Sequence, residues 1–327
     1  MASDPAVSLI LPTHNRAALL PAAIQSVLDQ TFKDFELIVV DDGSTDETEQ
    51  VLGGIRDPRI QKIRLADRVG AAEARNIGLT KARADWIGFM DSDVQWAPEK
   101  LERQFMALED APDRVGALFC AFWLRENGRI RRVPGSGLRV PPQGWFDRLL
   151  WGNLIDTPSL LVQRKLLEGL GGFDGAMPRF QDWDLALRLS RETEIRFLDE
   201  PLYLSTRDGD SISSNSKAAV AALNRLLGKH SDLLERNPKL HAHFKVYTAH
   251  FECLSGKPQT ARALLRQSIR IHPLGVEAPV CYLLSCLPPR IYQAVIQFRD
   301  RFLQRLQAPP AASPAWLKDP PGDVPHG

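Results

Sequence analysis

Hydrophobic positions along the first third of the chain fall into two alternating patterns. Val7–Leu11, Phe35–Val40, Ile60–Leu65, Trp86–Met90 and Val115–Leu124 are short runs that read as strands. The stretch Leu37–Val40 is apolar enough to be covered on both faces. Between these runs, apolar residues return every three or four positions. Leu19, Leu20, Ala23, Ile24, Val27 and Leu28 form one such helix, with Asn15 as its expected cap. Leu101, Phe105 and Leu108 mark another that starts at Pro98, and a helix is also predicted over 71–83. This alternation from 7 to 123 predicts a doubly wound α/β sheet, parallel through that region.

After residue 124 the pattern breaks. Glycine and proline become frequent over 125–142 and arginines cluster there (Arg125, Arg129, Arg131, Arg132, Arg139), which predicts a mobile loop or lid. Residues 145–205 read as a second unit, with a glycine-rich turn at Gly169–Gly172 and a short helix over Trp183–Arg191. Beyond 215 the chain reads as all helical, over 218–235, 242–255, 258–271 and 276–286. Residues 256–273 resemble one tetratricopeptide-like hairpin, too little for a repeat array. A further helix over 290–307 is amphipathic, with Ile291, Val295, Phe298, Phe302 and Leu306 on one face. Such a helix packs on its own domain or lies on an anionic bilayer. Residues 308–327 are rich in proline, alanine and glycine and are expected to be disordered. The expected organisation is therefore an α/β domain over 1–214, a helical extension over 215–307 and a tail.

Composition narrows the partners. The 327 residues carry a formal net charge of +1, which argues against nonspecific nucleic-acid binding. Cys120, Cys253, Cys281 and Cys286 make no C-x-x-C pair and have apolar neighbours, so reduced core cysteines in a reducing compartment are expected. Met1–Pro5 is unlike a signal peptide, and no apolar run approaches the roughly 18 residues of a spanning helix. The expectation is a cytoplasmic protein, with any membrane contact peripheral and through 290–307.

Three acidic clusters carry the candidate chemistry. Asp41-Asp42 and Asp91-Ser92-Asp93 follow apolar strands, and Asp182-Trp183-Asp184 opens a helix. Open α/β sheets bind ligands at the carboxyl ends of their strands. Carboxylates gathered on one rim repel each other unless a cation lies between them. A divalent metal carrying a diphosphate meets that need and implies group transfer from a nucleotide-activated donor.

Each position also has a plainer reading. The turn after the first strand is Pro12-Thr13-His14-Asn15-Arg16, not a glycine-rich loop, which disfavours an NAD or FAD site and a sugar nucleotidyltransferase alike. A nucleobase can rest on His14, or the segment is a bare polar turn. Asp42 can accept N3–H of uracil or thymine, or the donors of guanine; as a helix cap it would be redundant with Ser44 and Asp46. Asp91 and Asp93 offer hard oxygens to Mg²⁺ or Mn²⁺, whose other ligands would be phosphate and water. Arg75, beside Asn76, is a phosphate ligand or a solvated helix charge. Asp184 and Arg188 can pair at i,i+4, which leaves Asp182 as a cap or as a base toward an acceptor hydroxyl.

Taken in order, Val7–Arg16, Ser26–Asp46, Ala74–Gly78, Asp91–Asp93, Gly171–Asp174 and Gln181–Leu189 resemble glycosyltransferase family 2 over about residues 5–213. The resemblance implies the GT-A fold, a doubly wound, Rossmann-like mixed sheet, here followed by a C-terminal all-helical extension. It implies an inverting transferase that uses Mn²⁺ or Mg²⁺. The sugar would pass from a nucleotide-diphosphate sugar, a UDP-sugar by default, to a hydroxyl of a glycan or lipid-linked acceptor, in surface polysaccharide or glycan biosynthesis. Carried over by position, Pro12, His14 and Asp42 would hold the nucleoside, and Arg75 and Asn76 would border the donor. Asp91 would face ribose and metal, Asp93 would bind the metal, and Arg207 would meet the diphosphate. Asp182 would be the catalytic base, with Gln181 and Trp183 toward the acceptor. The family usually has Glu where this chain has Gln181. That departure is the one feature favouring the alternative of a non-catalytic scaffold or binding protein.

Overall fold

The computed structural model describes residues 4–126, 129–139, 141, 144–207, 215–288, 291, 292, 294 and 295. Among these, nine strands form one mixed sheet. β1 (Val7–Thr13), β2 (Phe35–Asp41), β3 (Ile60–Arg64) and β4 (Trp86–Phe89) are parallel, in the order β3-β2-β1-β4. β5 (Val94–Trp96) lies at the far edge, beyond β6 (Val115–Glu126), β7 (Arg129–Val133) folds back on the end of β6, β8 (Leu160–Gln163) inserts antiparallel between β4 and β6, and β9 (Glu194–Arg207) runs parallel to β6.

Residues 145–205 are therefore not a second unit. They supply β8 and β9, two strands of the same sheet. β8 has only four residues, too few to display a period, and β9 begins among charges (Glu194, Arg196, Asp199, Glu200) that hide its apolar positions. The first part of the predicted lid is a hairpin: Arg129–Val133 pair with Phe122–Glu126.

The sheet is covered on both faces because each strand alternates its side chains. On β1, Leu9 and Leu11 pack with Leu20 and Ile24 of α1 (Leu20–Leu28), while Ile10 joins Ala72 and Ala74 of α3 (Ala71–Leu79) on the opposite face. The approach of α3 is close. A Cβ on Gly78 would stand 2.5 Å from Ile10 Cγ2, so only glycine lets the helix seat there. α2 (Thr48–Gly54) and α4 (Lys100–Glu109) flank α1. α5 (Phe146–Leu150), α6 (Arg164–Gly169) and α7 (Gln181–Glu192) cover the other face.

Asn15 does not cap α1. It sits in the left-handed region (φ 51°), and its side-chain oxygen accepts from the Thr45 amide at 2.8 Å, tying the turn after β1 to the one after β2.

The C-terminal helices are α8 (Ser216–Lys229), α9 (Ser231–Arg236), α10 (Pro238–Leu254), α11 (Pro258–Ile271) and α12 (Glu277–Ser285). The helix predicted over 218–235 is interrupted at His230, and α10 starts earlier than the predicted 242, capped by Asn237, which accepts from Leu240 N at 3.1 Å. Leu223 and Leu226 of α8 and Phe244 and Phe251 of α10 share a core layer with Leu185 and Leu189 of α7, so extension and sheet fold onto one another. A charged knot adds direction to that packing. Asp184, fully buried, accepts from Arg188 Nε at 2.9 Å and from Lys229 Nζ at 2.6 Å. Asp174 takes Arg225 at 2.7 Å and Lys229 at 2.6 Å, and these partners hold its carboxyl well below the ordinary range.

Of the cysteines, Cys120 and Cys253 are buried, Cys281 is half-buried and Cys286 is exposed, so the expected core role holds for two of them. Among the described residues no helix is long and apolar enough to cross a membrane. Ser211–Ser213, nearly all of the predicted 290–307 helix and the 308–327 tail lie outside the described residues.

Candidate active site

The carboxyl ends of β1, β2 and β4 and the start of α7 open into one cavity of about 780 Å³. Pro12, His14, Asp42, Arg75, Asp91, Asp93, Gln181, Asp182 and Trp183 all line it.

The turn at the nucleoside end is fixed by its own hydrogen bonds. His14 Nδ1 donates to the Asp42 carbonyl at 2.7 Å, which leaves Nε2 as an acceptor. The Asp42 carboxylate accepts from Val69 N at 2.6 Å and Gly70 N at 2.9 Å, bracing the turn that opens α3. Each oxygen retains a second lone pair for a ligand donor. Thr13 Oγ1 is buried beside this cavity without a partner, a polar atom of the kind a bound ligand satisfies.

Arg75 Nη2 donates to Asp91 Oδ1 at 2.5 Å, and the arginine is buried with its Cζ 5.4 Å from the Phe173 ring centre. Asp93 has its carboxyl pushed up to about 6, first by burial and then by the charge on Asp91, with Arg16 and Arg75 opposing. Among the described residues no three His, Cys, Asp or Glu side chains gather into a metal cage. That donor set, two close carboxylates whose repulsion a cation relieves, fits a hard divalent ion that draws its remaining ligands from phosphate and water.

Asp182 sits in the first turn of α7. Its Oδ1 accepts from Trp183 N at 2.8 Å and its Oδ2 from Asn153 Nδ2 at 2.8 Å. Burial pushes its carboxyl above the ordinary aspartate range, against the pull of the Trp183 amide, Arg75 and Asn153. Phe180, immediately before α7, is held at φ 60°, a left-handed conformation that costs a non-glycine residue roughly 1–3 kcal/mol. That strain fixes the direction in which the helix presents Gln181 and Asp182.

Asn153 stabilises the charged form of Asp182, so its removal should raise the Asp182 pKa further. Asn153→Ala is expected to move the acid limb of a pH–rate profile to higher pH, with the rate recovering toward wild type at alkaline pH. A limb that stays in place would show that Asn153 does not set the protonation of Asp182.

Several expected positions are placed differently. Asn76 does not face the cavity. Its amide accepts from Phe173 N at 2.8 Å and donates to Phe173 O at 2.9 Å, pinning the Gly171–Asp174 turn to α3. Trp183 reaches the cavity wall, but its ring is buried, stacked 5.7 Å from Phe244, and its Nε1 is spent on Leu149 O at 2.6 Å. It is a core residue behind the Asp182 carboxylate, with its ring turned away from the cavity. Gln181 Nε2 donates to Met177 O at 3.0 Å, a bond that a glutamate there could not make. The backbone of Arg207 ends β9, paired with Glu126, and its side chain lies outside the description. Ser205 and Thr206 of the same strand line the cavity.

Other lining residues escaped the sequence reading, among them Asn153, Arg131, Arg179 and Tyr247. Asn153 was discoverable as a polar residue between Trp151 and Leu154. Arg131 belongs to the arginine cluster assigned to a lid. Arg179 and Tyr247 carry no local signal, because only the packing of α10 against α7 brings Tyr247 to the site.

Comparison with known proteins agrees with this arrangement. The family model described as glycosyl transferase family 2 matches residues 8–163. The UDP-Glc:alpha-D-GlcNAc-diphosphoundecaprenol beta-1,3-glucosyltransferase WfaP of Escherichia coli is 39% identical over 184 residues, spanning 56% of this chain and 69% of that protein. The chain belongs to glycosyltransferase family 2. Solved structures extend the fold likeness through the C-terminal helices. S. aureus TarS 1–349 in complex with UDP-GlcNAc superposes with a TM-score of 0.59 at 19% identity, covering 89% of this chain and 91% of TarS 1–349. The mannosyltransferase PcManGT of Pyrobaculum calidifontis, in complex with GDP-Man and Mn²⁺, gives 0.56 at 18% identity over 92% of this chain and 86% of that one. The mixed sheet described above is thus the GT-A sheet, and the protein is a glycosyltransferase.

Proposed function

We propose that this glycosyltransferase is an inverting enzyme that moves a sugar from a nucleoside diphosphate, UDP first among the candidates, to a hydroxyl of a glycan or lipid-linked acceptor. The observation that carries the reading is that one cavity is lined by Asp42 and His14, by Asp91 and Asp93, and by Asp182. The base would meet His14 and Asp42, and the diphosphate would lie toward Arg75, Asp91 and Asp93. A bound divalent cation, held by Asp91 and Asp93, would supply positive charge to the departing diphosphate.

Asp182 supplies the proton acceptor. As an acceptor oxygen attacks the anomeric carbon, its proton passes to the Asp182 carboxylate. The carbon–oxygen bond to the diphosphate breaks, and the bonding electrons leave with the phosphate oxygen. Attack from the face opposite the leaving group inverts the anomeric centre. A raised carboxyl pKa suits this role, because a base closer to neutrality takes a proton more readily. Asn153 and the Trp183 amide orient the carboxylate, and the strained Phe180 holds its helix.

The uridine preference and a diphosphate-linked acceptor are supported by likeness to WfaP, whose name specifies both. The test is incubation of the purified protein with UDP-glucose, Mn²⁺ and a GlcNAc-diphospholipid, with the product anomer read by NMR. A β-linked product from the α-configured donor is expected. Retention of configuration would remove the single-displacement mechanism, and transfer from no nucleotide sugar would remove the donor assignment.

A further inference from the structure

The outermost helix of the extension is apolar on both sides. Ala278 and Ser285 of α12 are buried against α10 and α11, with Cys281 and Tyr282 beside them half-buried. At 100° per residue, Val276, Val280, Leu283 and Leu287 lie on the opposite side, and all four are exposed, Val276 at 79% and Leu283 at 71%. Leu274, in the turn before the helix, is 90% exposed and extends the same surface. A surface helix ordinarily turns polar residues outward; one that is apolar all round has something covering it.

The flank of this face identifies the cover. Arg262, Arg266 and Arg270 follow one another at four-residue spacing on α11, and Arg262 Nη1 donates to Ser285 O at 3.0 Å, so the row runs beside α12. Arg266 and Arg270 are exposed. Glu277 is the one acidic residue between Leu274 and Leu287, and it pairs with His243. Protruding aliphatic side chains beside arginines that form no ion pair among the described residues are the chemistry of a helix lying in the headgroup region of an anionic bilayer.

We infer that the face formed by Leu274, Val276, Val280, Leu283 and Leu287, with Arg266 and Arg270 at its edge, docks on an anionic lipid surface. The inference is independent of the transfer reaction. It also places the contact one helix earlier than 290–307, the segment the sequence pattern had singled out. The aliphatic side chains enter the acyl boundary and the arginines meet lipid phosphates.

The full chain should sediment with vesicles of phosphatidylglycerol and phosphatidylcholine and remain in solution with phosphatidylcholine alone. Added salt should weaken the binding. Val280→Glu/Leu283→Glu should lower the partition coefficient by more than about tenfold. Arg266→Glu/Arg270→Glu should lower it by about fivefold for each arginine. These side chains are exposed, so circular dichroism and UDP binding should be unchanged in both variants. The inference is overturned if the wild-type chain ignores anionic vesicles, or if Val280→Glu/Leu283→Glu binds them as wild type does. It is equally overturned if the wild type dimerises through this face, with the same variant monomeric and no binding to vesicles, because the cover is then a second copy of the chain.

Discussion

Asp182→Asn should slow transfer by about 10²–10⁴-fold while leaving nucleotide binding unchanged, the loss expected when a general base is replaced by its neutral isostere. The loss should fall on kcat, because Asp182 is needed as a base only when the acceptor oxygen begins to bond. Folding should not suffer. Burial raises the Asp182 pKa above its unfolded value, so its ionised form costs stability once the pH passes the unfolded pKa, and neutral pH lies on that side. Asparagine removes the charge and can still accept from the Trp183 amide, but its NH2 cannot accept from Asn153 Nδ2, a loss of about 1 kcal/mol that offsets the relief of burying a charge. The variant should therefore stay within about 1 kcal/mol of wild type at pH 7. Denaturant unfolding and steady-state rates on the same preparation check both halves. Unimpaired transfer by Asp182→Asn would take Asp182 out of the mechanism.

Trp183→Ala should cost about 3–5 kcal/mol of folding stability, the range for emptying a large aromatic site in a packed core. Trp183 is buried between Phe180 at 5.7 Å and Phe244 at 5.7 Å, so it joins the strained residue before α7 to the helical extension. Trp183→Phe keeps most of that volume and loses the bond to Leu149 O, which still accepts from Gly152 N at 3.2 Å, so it should cost about 0.5–1.5 kcal/mol. Urea midpoints at constant m-value separate the two. If Trp183 were instead an acceptor platform, Trp183→Ala would keep its stability and raise the acceptor KM. The expected result is the reverse, with kcat falling in Trp183→Ala as the adjacent Asp182 loses its support.

The parallel half of the fold was legible because β1, β2 and β4 are mostly apolar on both faces and α1 carries a clean stripe. Leu9 and Ile10, adjacent on β1, enter opposite core layers, which is what a run without polar alternation implies. The antiparallel additions were not legible. β8 is short, β9 opens among charges, and β7 looks like a basic loop because Arg129, Arg131 and Arg132 dominate it. The acidic clusters were found because strand ends announce themselves as an apolar run stopped by aspartate. What sequence could not give was orientation. Asn76 sits beside the lining residue Arg75 yet is turned to the Phe173 backbone, and Trp183 touches the cavity wall but sends its ring into the core. Helix rotation decides this, and it follows from how α3 and α7 pack. Tyr247 reaches the cavity by the same logic, from about 65 residues beyond Asp182, with no local motif to mark it.

The central claim is that Asp91 and Asp93 hold a divalent cation that brings a nucleoside diphosphate into the cavity beside Asp182. Thermal unfolding with UDP, dTDP, GDP and CDP, each with Mn²⁺ or EDTA, on wild type and Asp93→Asn, tests it most directly. At about 100 times Kd a ligand stabilises by about 2.7 kcal/mol, a readily measured shift. The predicted result is a rise with one nucleotide, UDP first, that needs Mn²⁺ and disappears in Asp93→Asn. A rise that persists in EDTA, or that Asp93→Asn leaves intact, would contradict the account.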